Sequence, residues 1–136
     1  MESVSARLET VLTLLSAQFR SMPESKLLGR LPDGRSRAAA GHELAGLVAL
    51  AAQGVEDRER REPPSWRALP FEGPFVVGDQ IGVTGHDLLA ACERAAVDDE
   101  AVVTVWMSPG MGGGRVGCAA VLERVLWAAE GLARVL

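Results

Sequence analysis

The chain has two histidines, and a carboxylate follows each of them directly: His42 precedes Glu43, and His86 precedes Asp87. Imidazole is the side chain whose unperturbed pKa lies near neutrality, so a histidine beside a carboxylate can serve as an acid/base pair. We therefore take these four residues as the candidate catalytic set. The alternative is that the histidines are hydrogen-bonded structural residues and that the carboxylates are solvated.

A transition-metal site between helices needs three or more ligands that project inward from different helices. His42, Glu43, His86 and Asp87 form such a site only if the two helices that carry them bring all four side chains together. A single histidine does not hold zinc or nickel at the affinity of a three-ligand site. We therefore predict that the protein carries no metal and no other cofactor.

The two cysteines, Cys92 and Cys118, are far apart in the sequence. Without close spacing, they are more typical of reduced thiols in a cytoplasmic protein than of a disulfide framework. Both lie in apolar helical contexts, where buried structural cysteines are usual. Cys118 falls near the start of the last predicted helix, where the helix dipole can lower a thiol pKa, so it stays a candidate for thiol chemistry.

The glycines at 112, 114 and 117 satisfy the pattern G-x-G-x-x-G, after a strand-like run and before a helix. In a dinucleotide-binding unit such a loop holds pyrophosphate at the helix N-terminus. That unit also needs a second parallel strand and an acidic residue after the helix, and neither is evident. We interpret the glycines as a mobile connection.

Apolar residues recur at helical spacing in four stretches and predict four helices. The predicted helices cover residues 4–19, 36–55, 79–96 and 116–136. Pro23 ends the first helix, and Ser36 is a plausible N-cap for the second. The predicted core residues on these helices are Leu12, Leu15, Leu44, Val48, Leu89, Leu122, Val125 and Leu126.

Long connections rich in proline and glycine join the predicted helices. The start of the third helix is so rich in glycine that we expect it to be kinked or partly unwound. Residues 101–106 are β-branched and strand-like but have no obvious partner strand. We interpret them as an extended connection or a helix continuation.

The second predicted helix has a face of small residues, Ala38, Ala45 and Ala49, which also carries His42. Small side chains leave volume for a ligand between the second, third and fourth helices, and Ala128 on the last helix adds to it. Such a pocket is mostly apolar with a few polar groups. We predict that these alanines bind a ligand, with Trp66 and Trp106 from the long connections as lids.

The bulk composition limits the classes of function. The 136 residues suffice for one helical domain over 1–136, and 48% hydrophobic with 24% charged residues is typical of a globular protein. A net charge of −4 without a basic stripe argues against nucleic-acid binding. The sequence has no apolar run of membrane-spanning length and no evident signal peptide, so we expect a cytoplasmic protein. Abundant Ala, Arg, Gly and Val indicate a bacterial source of high GC content.

The last predicted helix contains the run Leu-Glu-Arg at 122–124 and then Trp127. This segment resembles the final helix of DinB-like proteins, a four-helix-bundle superfamily of metalloenzymes and thiol transferases. In that family the tryptophan is followed by two metal-binding histidines with three residues between them; Ala128 and Leu132 stand at those positions here. The family's first ligand is a histidine that usually lies seven residues after an Arg-Ser or Trp-Ser pair. Counting from Ser36 gives Glu43 and misses His42 by one residue, so His42 could substitute only if the helix started differently.

The resemblance implies an all-α four-helix bundle with long Pro/Gly-rich connections, a homodimer, and a degenerate site without its metal. It indicates a protein that binds or transforms a small molecule in the bundle cavity. One alternative is a non-catalytic interaction or dimerisation protein that acts as the partner of an enzyme. The other is a thiol-dependent transferase or isomerase of the DinB-like type. Whether the chain is an enzyme stays open.

Overall fold

The computed structural model describes residues 2–98 and 103–136, and within them the chain is mostly helical. The helices are α1 (Val4–Ser21), α2 (Glu24–Leu27), α3 (Arg37–Glu56), α4 (Val77–Asp98) and α5 (Cys118–Val135). The structure is consistent with the predicted all-α class. The bounds of the four predicted helices agree within a few residues with those of the four long helices α1, α3, α4 and α5. Within the described ranges, no helix is both long and apolar enough to cross a membrane.

The four long helices share one apolar core. Helix α4 packs against α3 and α1, while α5 packs against α1 and α3. The stripe that α1 contributes is spaced at helical intervals and is fully buried; it comprises Leu8, Leu12, Leu15 and Phe19. All eight predicted core residues are buried except Leu89, which is half-buried.

Helix α3 begins where its sequence predicts. The Ser36 hydroxyl accepts a hydrogen bond from the N–H of Ala39 at 3.0 Å, so this residue is the N-cap. The helix is buried on most sides, which its small residues permit. Ala38 and Ala45 belong to the buried core.

Helix α4 is continuous from Val77, so its first half is not unwound, while the alternative of a kink stays a prediction. Its glycines instead allow α1 to approach closely. A Cβ at Gly78 would lie 2.9 Å from the backbone nitrogen of Arg20, and a Cβ at Gly82 would lie 3.0 Å from Ser16 Oγ. The Ser16 hydroxyl donates a hydrogen bond of 2.8 Å to the Gly78 carbonyl, which joins the two helices at this contact.

The strand-like residues after α4 do have a partner strand, which corrects their interpretation as an isolated connection or helix continuation. Strand β1 (Thr104–Trp106) pairs antiparallel with β2 (Arg115–Gly117). Residues 101–102 of the predicted segment lie outside the described residues. Strand β2 uses residues assigned to the start of the last helix, so α5 begins at Cys118. The antiparallel pairing is incompatible with a dinucleotide-binding βαβ unit.

The proline-rich connection between α3 and α4 is attached to α3 by Gln53, whose side chain is buried. Its Nε2 donates a hydrogen bond of 2.8 Å to the Ser65 carbonyl. Its Oε1 accepts one of 3.0 Å from the backbone N–H of Arg67. A single buried amide therefore satisfies backbone groups on both sides of Trp66, which is half-buried.

Candidate functional site

The candidate catalytic residue His42 is half-buried on α3 and faces α4. Its Nδ1 lies 3.2 Å from Gln80 Oε1, and its ring makes an edge contact with Phe71 at 5.2 Å between centroids. Gln80 in turn donates a hydrogen bond of 3.0 Å to the Pro70 carbonyl. This arrangement holds the connection against α3 and α4, as expected of a hydrogen-bonded structural histidine.

The other three candidate catalytic residues are exposed and line different grooves. His86 lines a groove of about 540 Å³ between α1 and α4. Asp87 lines one of about 360 Å³ beside α3, and Glu43 lines one of about 470 Å³ between α3 and α5. The structure therefore does not bring these side chains and His42 together. Among the described residues, three or more His, Cys, Asp or Glu side chains do not cluster in a way that could hold a metal ion.

The candidate ligand-binding residues also lie in different environments. Ala38, Ala45 and Trp106 are buried, and the Trp106 indole N–H donates a hydrogen bond of 3.2 Å to the Arg60 carbonyl. Ala49 lines the groove that contains Asp87. Ala128 lines the groove that contains Glu43.

The groove between α3 and α5 combines an apolar floor with charged residues, and we call it the α3–α5 cleft. It has a volume of about 470 Å³ and is lined by Asp33, Arg35, Ala40, Glu43, Leu44, Leu47, Trp127, Ala128, Gly131, Leu132 and Val135. The Trp127 side chain is 75% exposed. An indole with this exposure beside a cleft is a surface on which a ligand can stack.

Three charged side chains form one corner of the α3–α5 cleft. Arg35 donates from Nε to Asp33 Oδ2 at 2.9 Å and from a guanidinium nitrogen to Glu43 Oε2. Hydrogen bonds from Arg35 lower the pKa of Asp33, and the bonds to Asp33 and Glu43 raise the pKa of Arg35. One guanidinium between two carboxylates leaves this corner with a formal charge of −1.

The two cysteines lie next to each other, which the sequence did not indicate. Cys92 Sγ on α4 lies 3.6 Å from Cys118 Sγ at the first residue of α5, although 26 positions separate them. Both are free thiols and both are half-buried. Both side chains pack against the apolar core, as their sequence contexts indicated, and they also contact each other.

The two thiols of this pair differ in acidity. The hydrogen bond from Cys92 and, to a smaller extent, the charge of Arg58 together lower the pKa of Cys118 to about 7, against the effect of burial. The same hydrogen bond raises the pKa of Cys92, and burial adds to the rise. Cys118 is thus the thiolate of the pair near neutral pH, and the Cys92 S–H donates to it.

Comparison of the chain with protein-family profiles, with curated proteins and with solved structures found no match. The resemblance to DinB-like proteins therefore depends on the motifs in the sequence and stays a prediction.

Proposed function

We propose that the chain is a four-helix bundle of the DinB-like type that binds a small molecule in the α3–α5 cleft without a metal. One observation carries this proposal. Glu43, Ala128 and Leu132, which stand at the three ligand positions of the family's motif, line the same cleft. Two of these positions have lost every donor atom, and the loss leaves apolar volume where the family holds an ion.

The lining of the cleft favours a particular ligand chemistry. Leu44, Leu47 and Ala128 supply apolar surface, and Trp127 presents its indole beside them. The corner of charge −1 attracts a cation, and a cation over an indole face gains further stabilisation. We therefore propose a ligand with an apolar body of modest size and one positively charged group.

An interaction protein is the second candidate, because Trp127 and Val135 are exposed apolar side chains on the same cleft. A homodimer that covers them would bury the surface that we assign to a ligand. Neither cysteine belongs to the residues that line the cleft, so a thiol-dependent reaction there would need an external thiol. The cytoplasmic location and the dimeric state remain predictions.

Three probes with one phenyl ring and different charge test the proposal: 2-phenylethylammonium, 2-phenylethanol and phenylacetate. Chemical-shift titration of the labelled protein should show the strongest binding for the ammonium compound, with shifts at the Trp127 indole. Ala128→Phe fills the cleft and should weaken binding by at least about tenfold. Ala120→Phe, at an exposed position of α5, is the matched control and should bind as the parent does.

Two results would contradict the proposal. A folded Ala128→Phe variant that binds the ammonium probe as tightly as the parent would place the ligand elsewhere. A dimer detected by analytical ultracentrifugation that dissociates in Trp127→Ala would favour the interaction protein.

A further inference from the structure

The pair of Cys92 and Cys118 has the geometry of a dithiol that can close into a disulfide. The two sulfur atoms are 3.6 Å apart, and a disulfide requires a separation of about 2 Å. Closing the bond therefore requires the two sulfur atoms to approach by about 1.5 Å. Because the two residues come from α4 and from the start of α5, the bond would join two core helices.

The surroundings of the pair assign different roles to the two thiols. Cys118 is the first residue of an 18-residue helix, where the dipole stabilises a thiolate, and its backbone N–H donates a hydrogen bond of 2.9 Å to the Val103 carbonyl. Cys92 lies within α4, and its thiol contacts the Cys118 sulfur. Cys118 is therefore placed as the attacking thiolate and Cys92 as the resolving thiol. Both side chains are half-buried, so a small reagent can reach them.

We propose that Cys92 and Cys118 form a thiol–disulfide exchange site that reduces low-molecular-weight disulfides and becomes an intramolecular disulfide. The Cys118 thiolate attacks one sulfur of the disulfide RSSR, forms a mixed disulfide, and expels RS⁻. Cys92 then loses its proton to solvent and attacks Cys118 Sγ, which breaks the mixed disulfide and releases the second RS⁻. Both released thiolates take up a proton, so one RSSR and the protein dithiol yield two RSH and one protein disulfide.

This activity does not depend on the α3–α5 cleft. Neither cysteine lines that cleft, so the two proposals can fail separately. An excess of the monothiol RSH reverses the same two steps and restores the dithiol.

The test incubates the reduced full-length chain with glutathione disulfide and follows it by mass spectrometry. The parent should lose the mass of two hydrogens without keeping an adduct. Tryptic digestion should then link peptide 68–94, which contains Cys92, to peptide 116–124, which contains Cys118. An excess of reduced glutathione should separate these peptides again.

Single variants separate the two roles. Cys92→Ser should keep one glutathione on Cys118, because the resolving thiol is missing. Cys118→Ser should react at Cys92 at least about tenfold more slowly, because the attacking thiolate is missing. Circular dichroism checks that each variant folds, and the linked peptide of the parent tests the proposal even if a variant does not fold.

Three results would overturn the proposal. The folded parent could keep one glutathione on each cysteine and give no linked peptide. It could react with glutathione disulfide first at Cys92. It could also fail to react under conditions in which the urea-unfolded chain does.

Discussion

Gly54 on α3 lies directly against the backbone carbonyl of Trp106 on β1. A Cβ at position 54 would be 1.9 Å from that carbonyl oxygen, a distance that no side chain can occupy without movement of the backbone. The Trp106 side chain is itself buried, so the strand cannot move away freely. This contact fixes the position of the hairpin on the helix.

Gly54→Ala should therefore destabilise the protein, although alanine is normally favoured over glycine within a helix. We expect a loss of about 1–3 kcal/mol in the free energy of unfolding, measured by urea denaturation. Gly46→Ala is the matched control on the same helix, since a Cβ placed at position 46 would meet no tertiary neighbour within 4 Å among the described residues. It should stabilise the protein by up to about 1 kcal/mol. Equal effects of the two substitutions would show that β1 does not contact α3 in this way.

Leu126→Ala tests the orientation of α5. Leu126 is 5% exposed in the core, so its truncation should cost about 2–5 kcal/mol of unfolding free energy. Glu123→Ala, at an exposed position on the same helix, should change the free energy by no more than about 0.5 kcal/mol. A loss near zero for Leu126→Ala would mean that a different face of α5 is buried.

The rate of Cys118 alkylation by iodoacetamide should depend on pH with a midpoint near 7. Its pKa is lowered from 9.0 to about 7, so the reactive thiolate is scarce below the midpoint and predominates above it. Digestion and quantification of peptide 116–124 isolate this reaction from that of Cys92. A thiol with the ordinary pKa of 9.0 would show its midpoint about two pH units higher.

Two variants identify the cause of this acidity. Cys92→Ala removes the hydrogen-bond donor, so the alkylation midpoint should rise toward 9.0, although the charge of Arg58 still lowers the pKa. Cys92→Ser keeps a donor and should hold the midpoint below that of Cys92→Ala. Identical midpoints in the parent and both variants would show that the Cys92 thiol does not act on Cys118.

Oxidation of the pair should stabilise the fold. A disulfide between residues 26 positions apart restricts the unfolded chain, and we expect a gain of about 2–4 kcal/mol in unfolding free energy over the reduced protein. Chemical denaturation with and without reductant measures it. Because Cys92→Ser cannot form the bond, the difference should vanish in that variant.

The purified protein should contain no stoichiometric transition metal. Ala128 and Leu132 have no donor atoms, and Glu43 is occupied by its ion pair with Arg35. Elemental analysis after mild purification measures the content. If the parent contains one equivalent of zinc, nickel or iron and the His42→Ala variant contains none, the result would support the metalloenzyme alternative.

The helices could be predicted from sequence because their signals are local. The stripe that includes Leu12 and Leu15 repeats within one helix, and Ser36 caps the residues that follow it. The hairpin could not be predicted in the same way. It pairs Thr104 with Gly117, which are distant in the sequence, and the residues around Gly117 also fit the start of a helix. The close approach of α1 to the glycines of α4 could not be predicted either, because the two helices are distant in the sequence.

The candidate site shows the same limit. Whether His42 and His86 converge depends on the rotation of α3 and α4 about their axes, and periodicity does not fix that rotation for two helices with glycine and alanine on several faces. The juxtaposition of Cys92 and Cys118 depends on where α5 starts, which strand β2 determines. The α3–α5 cleft was anticipated only through Ala128, because the predicted cavity used the face of α3 that carries Ala38, Ala45 and Ala49, and these residues do not line the cleft.

The amide of Gln53 has a consequence for hydrogen exchange. Connections outside helices and strands usually exchange their amide protons quickly, since water reaches them. The Arg67 N–H instead donates to a buried side chain on α3, so it can exchange only when this contact opens. Arg67 should thus be protected within an otherwise fast-exchanging segment, and Gln53→Ala should remove that protection while leaving the interior amides of α3 slow.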